Sequence, residues 1–198
     1  MSELRFEHLT GAEIARRHDD FARLRITIFR DWPYLYDGDM ESERDYLDVY
    51  TASPRALLYI VLDGDRVVGA ATAVPLDDED EALHAPFLKA GFDTSRIFYF
   101  GEAVLLPEYR GRGLYRRLFE VREKHARSFG GFHTVAFCGV VRPDDHPLKP
   151  ADAQPLDDVW RHFGFAPADN LVTQFGWRDV GESEETDKPM RFWLKTLD

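Results

Sequence analysis

The sequence predicts an α/β fold built on a mixed, mostly antiparallel twisted sheet, and three observations carry that expectation. Short β-rich runs bounded by turn residues outnumber the amphipathic helical segments. Residues 57–62 and 66–74 flank Asp63-Gly64-Asp65, a strong hairpin signal that makes part of the sheet antiparallel. Residues 101–119 run from an apolar strand through a glycine turn into a basic helix, the order of a crossover. Together they give about seven strands flanked by about four helices, in one domain spanning residues 1–198.

Taken in order, residues 4–9 alternate as a half-buried first strand. Thr10 precedes Glu13 by three, a capping box for a helix starting near Gly11, with Ile14, Phe21, Leu24, Ile28 and Phe29 on its apolar face. Pro33 ends that helix. Residues 31–40 form a loop dense in aromatics and acids, and a second short helix covers residues 41–50. After the hairpin, Pro75 stops the third strand and residues 77–81 read as an acidic, solvated run. A short helix over 81–89 is closed by Gly91. The fourth strand runs from 97 to 106, and the main helix from about 112 to 128, ended by Gly130-Gly131. Residues 133–141 are a fifth strand. Four prolines make 142–155 a long loop. A helix over 156–163, closed by Gly164, precedes two final strands, 171–177 and 190–197, joined by an acidic loop over 179–188.

Composition sets the boundaries. The 198 residues are 44% hydrophobic and 31% charged, the balance of a soluble globular protein. A net charge of -11 argues against nucleic-acid partners and anionic membrane surfaces. No run of apolar residues is long enough to span a bilayer, and no signal peptide is expected. The single Cys138 excludes an intrachain disulfide and points to a reducing, cytoplasmic setting. Cys138 itself reads as a buried hydrophobe in an apolar strand. Asp144-Asp145-His146 reads as plain loop polarity, and no metal is expected. The oligomeric state is not legible, although a homodimer is compatible with the chain.

The chemistry concentrates in residues 101–119. Pro107 stops the apolar run Ala103, Val104, Leu105 and Leu106; Gly111 and Gly113 then stand among arginines before a helix begins. A helix start presents unpaired backbone N–H groups and partial positive charge, and glycine lets a ligand approach that backbone closely. The arrangement suits a phosphate. A tight connection with a solvated basic face would show the same residues, so spacing alone leaves both readings open. GxxxxGK[ST] is absent, and Arg116 stands where GxGxxG needs its third glycine.

The element order, with this turn after the fourth strand, resembles the GNAT superfamily of acyl-CoA-dependent N-acyltransferases. Two motifs carry the resemblance. Arg110-Gly111-Arg112-Gly113-Leu114 meets the family's [Q/R]xxGx[G/A] pattern, with Tyr115 where a small residue is usual. Trp160-Arg161-His162-Phe163-Gly164-Phe165 is similar to the family's Y-x-x-x-G-F signature. The resemblance implies acetyl-CoA as acyl donor, with its pyrophosphate on Arg110, Gly111, Arg112, Gly113, Leu114 and Tyr115. It implies pantetheine along Ala103, Val104 and Leu105 like an added strand, one amide there polarising the thioester. It also implies that the connection between the first two helices walls the acceptor pocket. That loop carries Trp32, Tyr34, Tyr36 and Asp37, whose rings and carboxylate suit a small cationic amine; Arg142 could also reach the pocket.

The family's usual proton donor falls at Trp160, which has no titratable proton and reads as packing or pocket wall. Glu102, an acid inside an apolar strand, is the first replacement candidate, since burial would raise its pKa toward that of a general base. A carboxylate at a sheet end paired with an arginine is the competing reading. Tyr99 is the second candidate, with a core aromatic as its alternative. Strict alternation puts Tyr99 on the opposite face from Glu102, and a bulge would change that phase. The resulting expectation is N-acetyl transfer by direct attack in a ternary complex. The alternative is an acyl-CoA-binding module without catalysis, with Trp160 as its mark.

Overall fold

In the computed structural model, which describes residues 3–197, the expected hairpin joins β2 (Leu57–Asp63) to β3 (Arg66–Pro75). Gly64 takes φ 61° at its tip, a conformation that glycine adopts without steric cost. β1 (Leu4–Thr10) pairs antiparallel with β2. β2 is buried almost throughout because it lies between two strands and under helices on both faces, so its sequence is an unbroken apolar run.

Thr10 and Glu13 form the expected capping box, but it opens a 3₁₀ turn, Gly11–Arg17, rather than the α-helix itself. Arg17 leaves helical geometry (φ -118°, ψ 10°), and its guanidinium holds Glu7 on β1 at 2.6 Å and Asp20 at 3.0 Å. Helix α1 therefore begins at His18 and runs to Phe29. Helix α2 (Met40–Ala52) is capped by the Asp39 carboxylate, which accepts from the N–H groups of Glu41 and Ser42. Helix α3 (Glu81–Lys89) is capped by Asp80 in the same way.

The fourth strand departs from expectation. Instead of one strand over 97–106, the chain makes β4 (Ile97–Tyr99) and β5 (Ala103–Leu105), broken at residues 100–102. Both still pair antiparallel with β3, but only β4 pairs, in parallel, with β6 (Thr134–Val140). The last rung is the Phe100 N–H donating to Ala136 O at 2.7 Å. Beyond it β5 and β6 diverge.

Helix α4 (Leu114–Ser128) connects β5 to β6, and α5 (Asp157–His162) precedes the closing hairpin of β7 (Ala166–Arg178) and β8 (Glu185–Thr196). The expected acidic loop over 179–188 is shorter than the sequence suggests. Lys188 Nζ donates to the carbonyls of Trp177 and Thr186, which draws residues 185–188 into β8. β7 begins at Ala166 rather than 171, and its register breaks between Ala168 and Val172. The sheet order is β1-β2-β3-β4-β6-β8-β7 with β5 beside β3, giving eight strands and five α-helices among the described residues. No helix there is long and apolar enough to cross a membrane.

Adjacent residues of β8 sort the two layers. Phe192 meets Phe87 of α3 with ring centroids 4.8 Å apart, while Trp193 meets Trp160 of α5 at 5.0 Å. Likewise Phe98 packs on His125 of α4 at 5.8 Å, while Tyr99 points to the opposite face. Helices α1, α2 and α3 thus cover one face, and α4 and α5 the other.

Candidate active site

The break after β4 is where the sheet opens, and the N-terminus of α4 stands beside that opening. Gly111 and Gly113 take φ 73° and 75°, so the turn needs glycine at both positions. Nothing lies within 4 Å of where a Cβ would project from either one, so the turn faces open space. The first α-type bond of α4 is Arg117 N–H to Gly113 O at 3.3 Å, which leaves the amides just before it directed outward from the helix start. Arginines frame the turn through their own contacts. Arg110 Nε donates to Leu105 O at 3.3 Å, Arg112 donates to Glu108 O at 2.6 Å, and Arg116 sits 3.2 Å from His162 Nε2. A Gly113→Ala change should cost about 1 kcal/mol of stability from backbone strain. Weaker coenzyme A binding by calorimetry should accompany it, because the helix start would shift; unchanged affinity would remove this turn from the site.

β5 supplies the adjoining edge. Its ladder with β3 is fixed by the Leu106 N–H to Val68 O bond (2.9 Å) and the Thr72 N–H to Glu102 O bond (3.0 Å). Alternation then turns the backbone of Val104 toward β3 and those of Ala103 and Leu105 toward the gap. Of the three residues expected along pantetheine, Ala103 and Leu105 present backbone groups to the opening and Val104 does not.

Two irregular positions of the motifs meet on the α4–α5 face. The Tyr115 ring packs edge-on against Phe119 (5.2 Å) and Phe163 (6.0 Å), away from the glycine turn. Trp160 lies over Gly139 and between Phe137 (5.1 Å) and Trp193 (5.0 Å). A Cβ on residue 139 would collide with that indole, so Gly139 is the price of seating Trp160 there. Trp160 is thus held in place by aromatic packing.

The break itself is gripped from both faces. Thr72 Oγ1 accepts from the Glu102 N–H at 2.9 Å and donates to Glu102 Oε2 at 2.6 Å. Arg122 of α4, between Phe100 and Phe119, donates to Glu102 O at 3.3 Å. Burial pulls Arg122 down to about 10, still cationic at neutral pH. Arg25 of α1 forms an ion pair with the Glu102 carboxylate and bonds Glu43 Oε2 at 2.5 Å. Tyr46 donates to Glu102 Oε1 at 2.8 Å. Glu102 therefore lies on the same face as Tyr99, which strict alternation does not allow; the irregular residues 100–102 change the phase. Its carboxylate is 8% exposed and arginine-paired, so the competing ion-pair reading describes its resting contacts.

Tyr99 Oη lies 3.1 Å from Cys138 Sγ, at the point where β4 and β6 part. Burial pushes the Tyr99 phenol well up and the Cys138 thiol to about 12, so both keep their protons at neutral pH. Cys138 is the buried, unactivated thiol that its apolar strand suggests.

The 31–40 loop is strapped down rather than open. Arg142 donates to the carbonyls of Pro33 (2.9 Å) and Tyr34 (2.6 Å) and grips Asp179 with two bonds of 2.7 and 2.8 Å. Burial works against ionisation of Asp179, but Arg142 outweighs it and holds that carboxyl below its usual value. Asp37 pairs with Arg30 (2.6 Å) and Arg178 (2.9 Å). Tyr36 bridges to Asp179 through its backbone, Trp32 packs on His146 at 5.2 Å, and Tyr34 lies between Phe29 (4.5 Å) and Trp177 (6.2 Å). Leu35 sits at φ 54°, a conformation this bulky residue holds only because its neighbours fix it. Of this group, Arg142 and Asp37 already have full sets of ionic partners within the fold.

Five participants were not legible as such. Glu79 falls in the acidic run read as solvated, yet it is 7% exposed and accepts from Tyr50 Oη at 2.9 Å. Tyr46 and Tyr50, with Glu43, share one face of α2 at spacings of three and four residues, and Arg25 stands on the apolar face of α1. A titratable group at a core-facing helical position is the signal that could have found them. The open hollow of about 320 Å³ lined by Glu7, His8, Leu9, Arg16 and Arg17 lies at the β1 edge and contains none of these groups.

Comparison with known proteins identifies the family and the fold. The model of the acetyltransferase (GNAT) family matches residues 21–150. Among solved structures, an acetyltransferase-like protein from Acinetobacter baylyi aligns over 100% of this chain and 95% of its own, with TM-score 0.63 and 15% identity. An N-acetyltransferase from Staphylococcus aureus aligns over 100% of both chains with TM-score 0.58 and 12% identity. An acetyltransferase of the same family from Streptococcus pneumoniae gives 0.58 and 12% over 99% of this chain and 100% of its own. At such identities the likeness is one of fold. No curated protein sequence matches the chain.

Proposed function

This chain belongs to the GNAT acetyltransferase family, whose members transfer acetyl groups from acyl-CoA, and on that premise we propose N-acetyl transfer from acetyl-CoA to a small amine. The observation that carries the proposal is the strand break at 100–102. It leaves the outer edge of β5, at Ala103 and Leu105, without a partner strand, on the element that leads into the glycine turn and the α4 N-terminus. Pyrophosphate fits the turn of Gly111 and Gly113, and pantetheine fits the gap between β5 and β6 as an added strand. The thioester then lies near the point where β4 and β6 part, within reach of Tyr99 on the α1–α2 face.

The reaction needs an amine without its extra proton, attack on the thioester carbonyl, and a proton on the departing thiolate. Glu102 is the base in this reading: it faces the α1–α2 side, where the acceptor would enter. The Tyr99 phenol, kept protonated by burial, supplies the thiolate proton. Backbone N–H groups of the β5 edge polarise the carbonyl. Tyr34, Tyr36 and Trp32 form the outer wall on that face, and the acidic surroundings favour a cationic amine. Trp160 closes the opposite wall. A panel of aliphatic, aromatic and polyamine acceptors, assayed for free thiol release from acetyl-CoA, tests the proposal. Turnover on at least one amine is expected. Tight acetyl-CoA binding with no amine turned over would instead support a binding module that has lost catalysis.

A further inference from the structure

The α1–α2 face holds a continuous string of polar groups, of which the reaction above uses only Glu102. Glu102 Oε1 accepts from Tyr46 Oη at 2.8 Å; Tyr46 Oη and Tyr50 Oη are 3.2 Å apart; Tyr50 Oη donates to Glu79 Oε1 at 2.9 Å. Two carboxylates are thus bridged by two phenols through the interior. Glu102, Tyr50 and Glu79 are all buried, Tyr50 completely.

With both carboxylates ionised, two phenolic protons serve three oxygen–oxygen contacts, and the Tyr46–Tyr50 contact has no hydrogen in it. That contact is the longest of the three. One added proton completes the string. If it resides on Glu79, then Glu79 donates to Tyr50, Tyr50 to Tyr46, and Tyr46 to Glu102. If it resides on Glu102, every bond points the other way. The two arrangements differ by the shift of three protons between hydrogen-bonded oxygens, with no heavy atom displaced.

We propose that this string is a proton relay that carries the acceptor amine's proton from Glu102 through Tyr46 and Tyr50 to Glu79. The amine N–H bond breaks as Glu102 gains the proton. Glu102 passes its proton to Tyr46, Tyr46 to Tyr50, and Tyr50 to Glu79, so both phenols end neutral and Glu79 ends protonated. Release from Glu79 to solvent at the acidic turn before α3 resets the string, and Tyr99, left as phenolate when it protonates the thiolate, regains its proton from solvent as the thiol product leaves. The relay rests on Glu102 being the base proposed above.

The charges around the two ends favour this direction. Arg25 forms its ion pair with Glu102 and keeps that end ionised at rest. Around Glu79 stand Tyr50 and Tyr46 of α2, Tyr99 of β4, Cys138 of β6 and Asp80 of its own turn, with Arg25 the cation that acts on it. The neighbouring Asp78 is taken up by Ser53 and Arg55. Burial raises the Glu79 carboxyl to about 7, so it can hold or release a proton at neutral pH. Accepting requires the ionised form, so turnover should rise with pH through that value.

Two measurements on the full chain decide the matter. The first is an infrared titration of the protonated carboxyl band without any acceptor. A band with a midpoint near neutrality that disappears in Glu79→Gln is expected, and Tyr46→Phe, which cuts the string while leaving the Tyr50–Glu79 bond, should move the midpoint. A midpoint indifferent to Tyr46→Phe would overturn the relay. The second is the pH profile of kcat/KM with whichever amine gives the fastest thiol release. Glu79→Gln should lower the plateau about tenfold or more and abolish the rising limb near neutral pH, with coenzyme A affinity kept. If Glu102→Gln stops turnover while Glu79→Gln leaves the profile unchanged, the relay fails and the base stands. If Glu102→Gln turns over normally, it is the base itself that fails.

Discussion

Glu102→Gln should lower turnover roughly a hundredfold or more at neutral pH, with acetyl-CoA affinity within about twofold of the parent. The reason is geometric. The Glu102 carboxylate receives Tyr46 and Thr72 and faces the acceptor side, whereas coenzyme A would bind along the backbones of β5 and the α4 turn. Glutamine keeps the size and an acceptor oxygen for Tyr46 or Thr72, so the strand break and the edge of Ala103 and Leu105 should persist. It cannot take a proton from an ammonium group. Single-turnover thiol release together with calorimetry of acetyl-CoA binding separates the two effects. Parent-like turnover would remove Glu102 from the base role, and a large loss of affinity would show that the substitution had disturbed the cofactor edge instead.

Arg25→Met should be the most destabilising single change at the site, by about 3–5 kcal/mol, because it leaves buried carboxylates without their cation. The Arg25 guanidinium lies between Glu43 and Glu102 and over the faces of Tyr46 (4.1 Å) and Phe29 (5.0 Å). Burial disfavours its charge, but the carboxylates and tyrosines around it outweigh that and raise its pKa. In the variant, Glu43 and Glu102 would remain buried without the cation that pairs with both. Urea or thermal unfolding of the variant against the parent measures the loss, and Arg25→Lys, which keeps a cation there, should recover part of it. A deficit as large in Arg25→Lys as in Arg25→Met would mean that lost packing of the guanidinium, rather than lost charge, accounts for the change.

These two residues show where sequence reading succeeds and where it stops. Glu102 stands out in one dimension, as a lone acid in an apolar run, and the run itself announces a strand. Alternation nevertheless assigned it to the wrong face relative to Tyr99, because the break at residues 100–102 depends on contacts from distant segments: Thr72 on β3, Arg122 on α4 and Arg25 on α1. Arg25 gave the weaker signal, one cation among several on a charged helix. Glu79 was hidden by its neighbours, since in the run from Asp77 to Glu81 it is the acid that turns inward. The aromatic loop was visible as a loop, but it is strapped down by Arg178, 141 residues from Asp37, and by Arg142, 109 residues from Pro33.

What the sequence determined by itself is the set of features encoded in short stretches: the hairpin at Asp63-Gly64-Asp65, the capping box at Thr10, and the glycine turn from Arg110 to Tyr115. The last of these, with the element order around it, was enough to point to the family. Such features depend on backbone preferences and hydrogen bonds within a few residues, so they survive reading one residue at a time. The tertiary structure alone decided that the fourth strand breaks, that Ala103 and Leu105 rather than Val104 face the gap, and that Glu102 and Glu79 lie at the two ends of one buried string. Each of those outcomes depends on which distant side chains satisfy a buried polar group, and that pairing exists only once the sheet and its two helical layers are assembled.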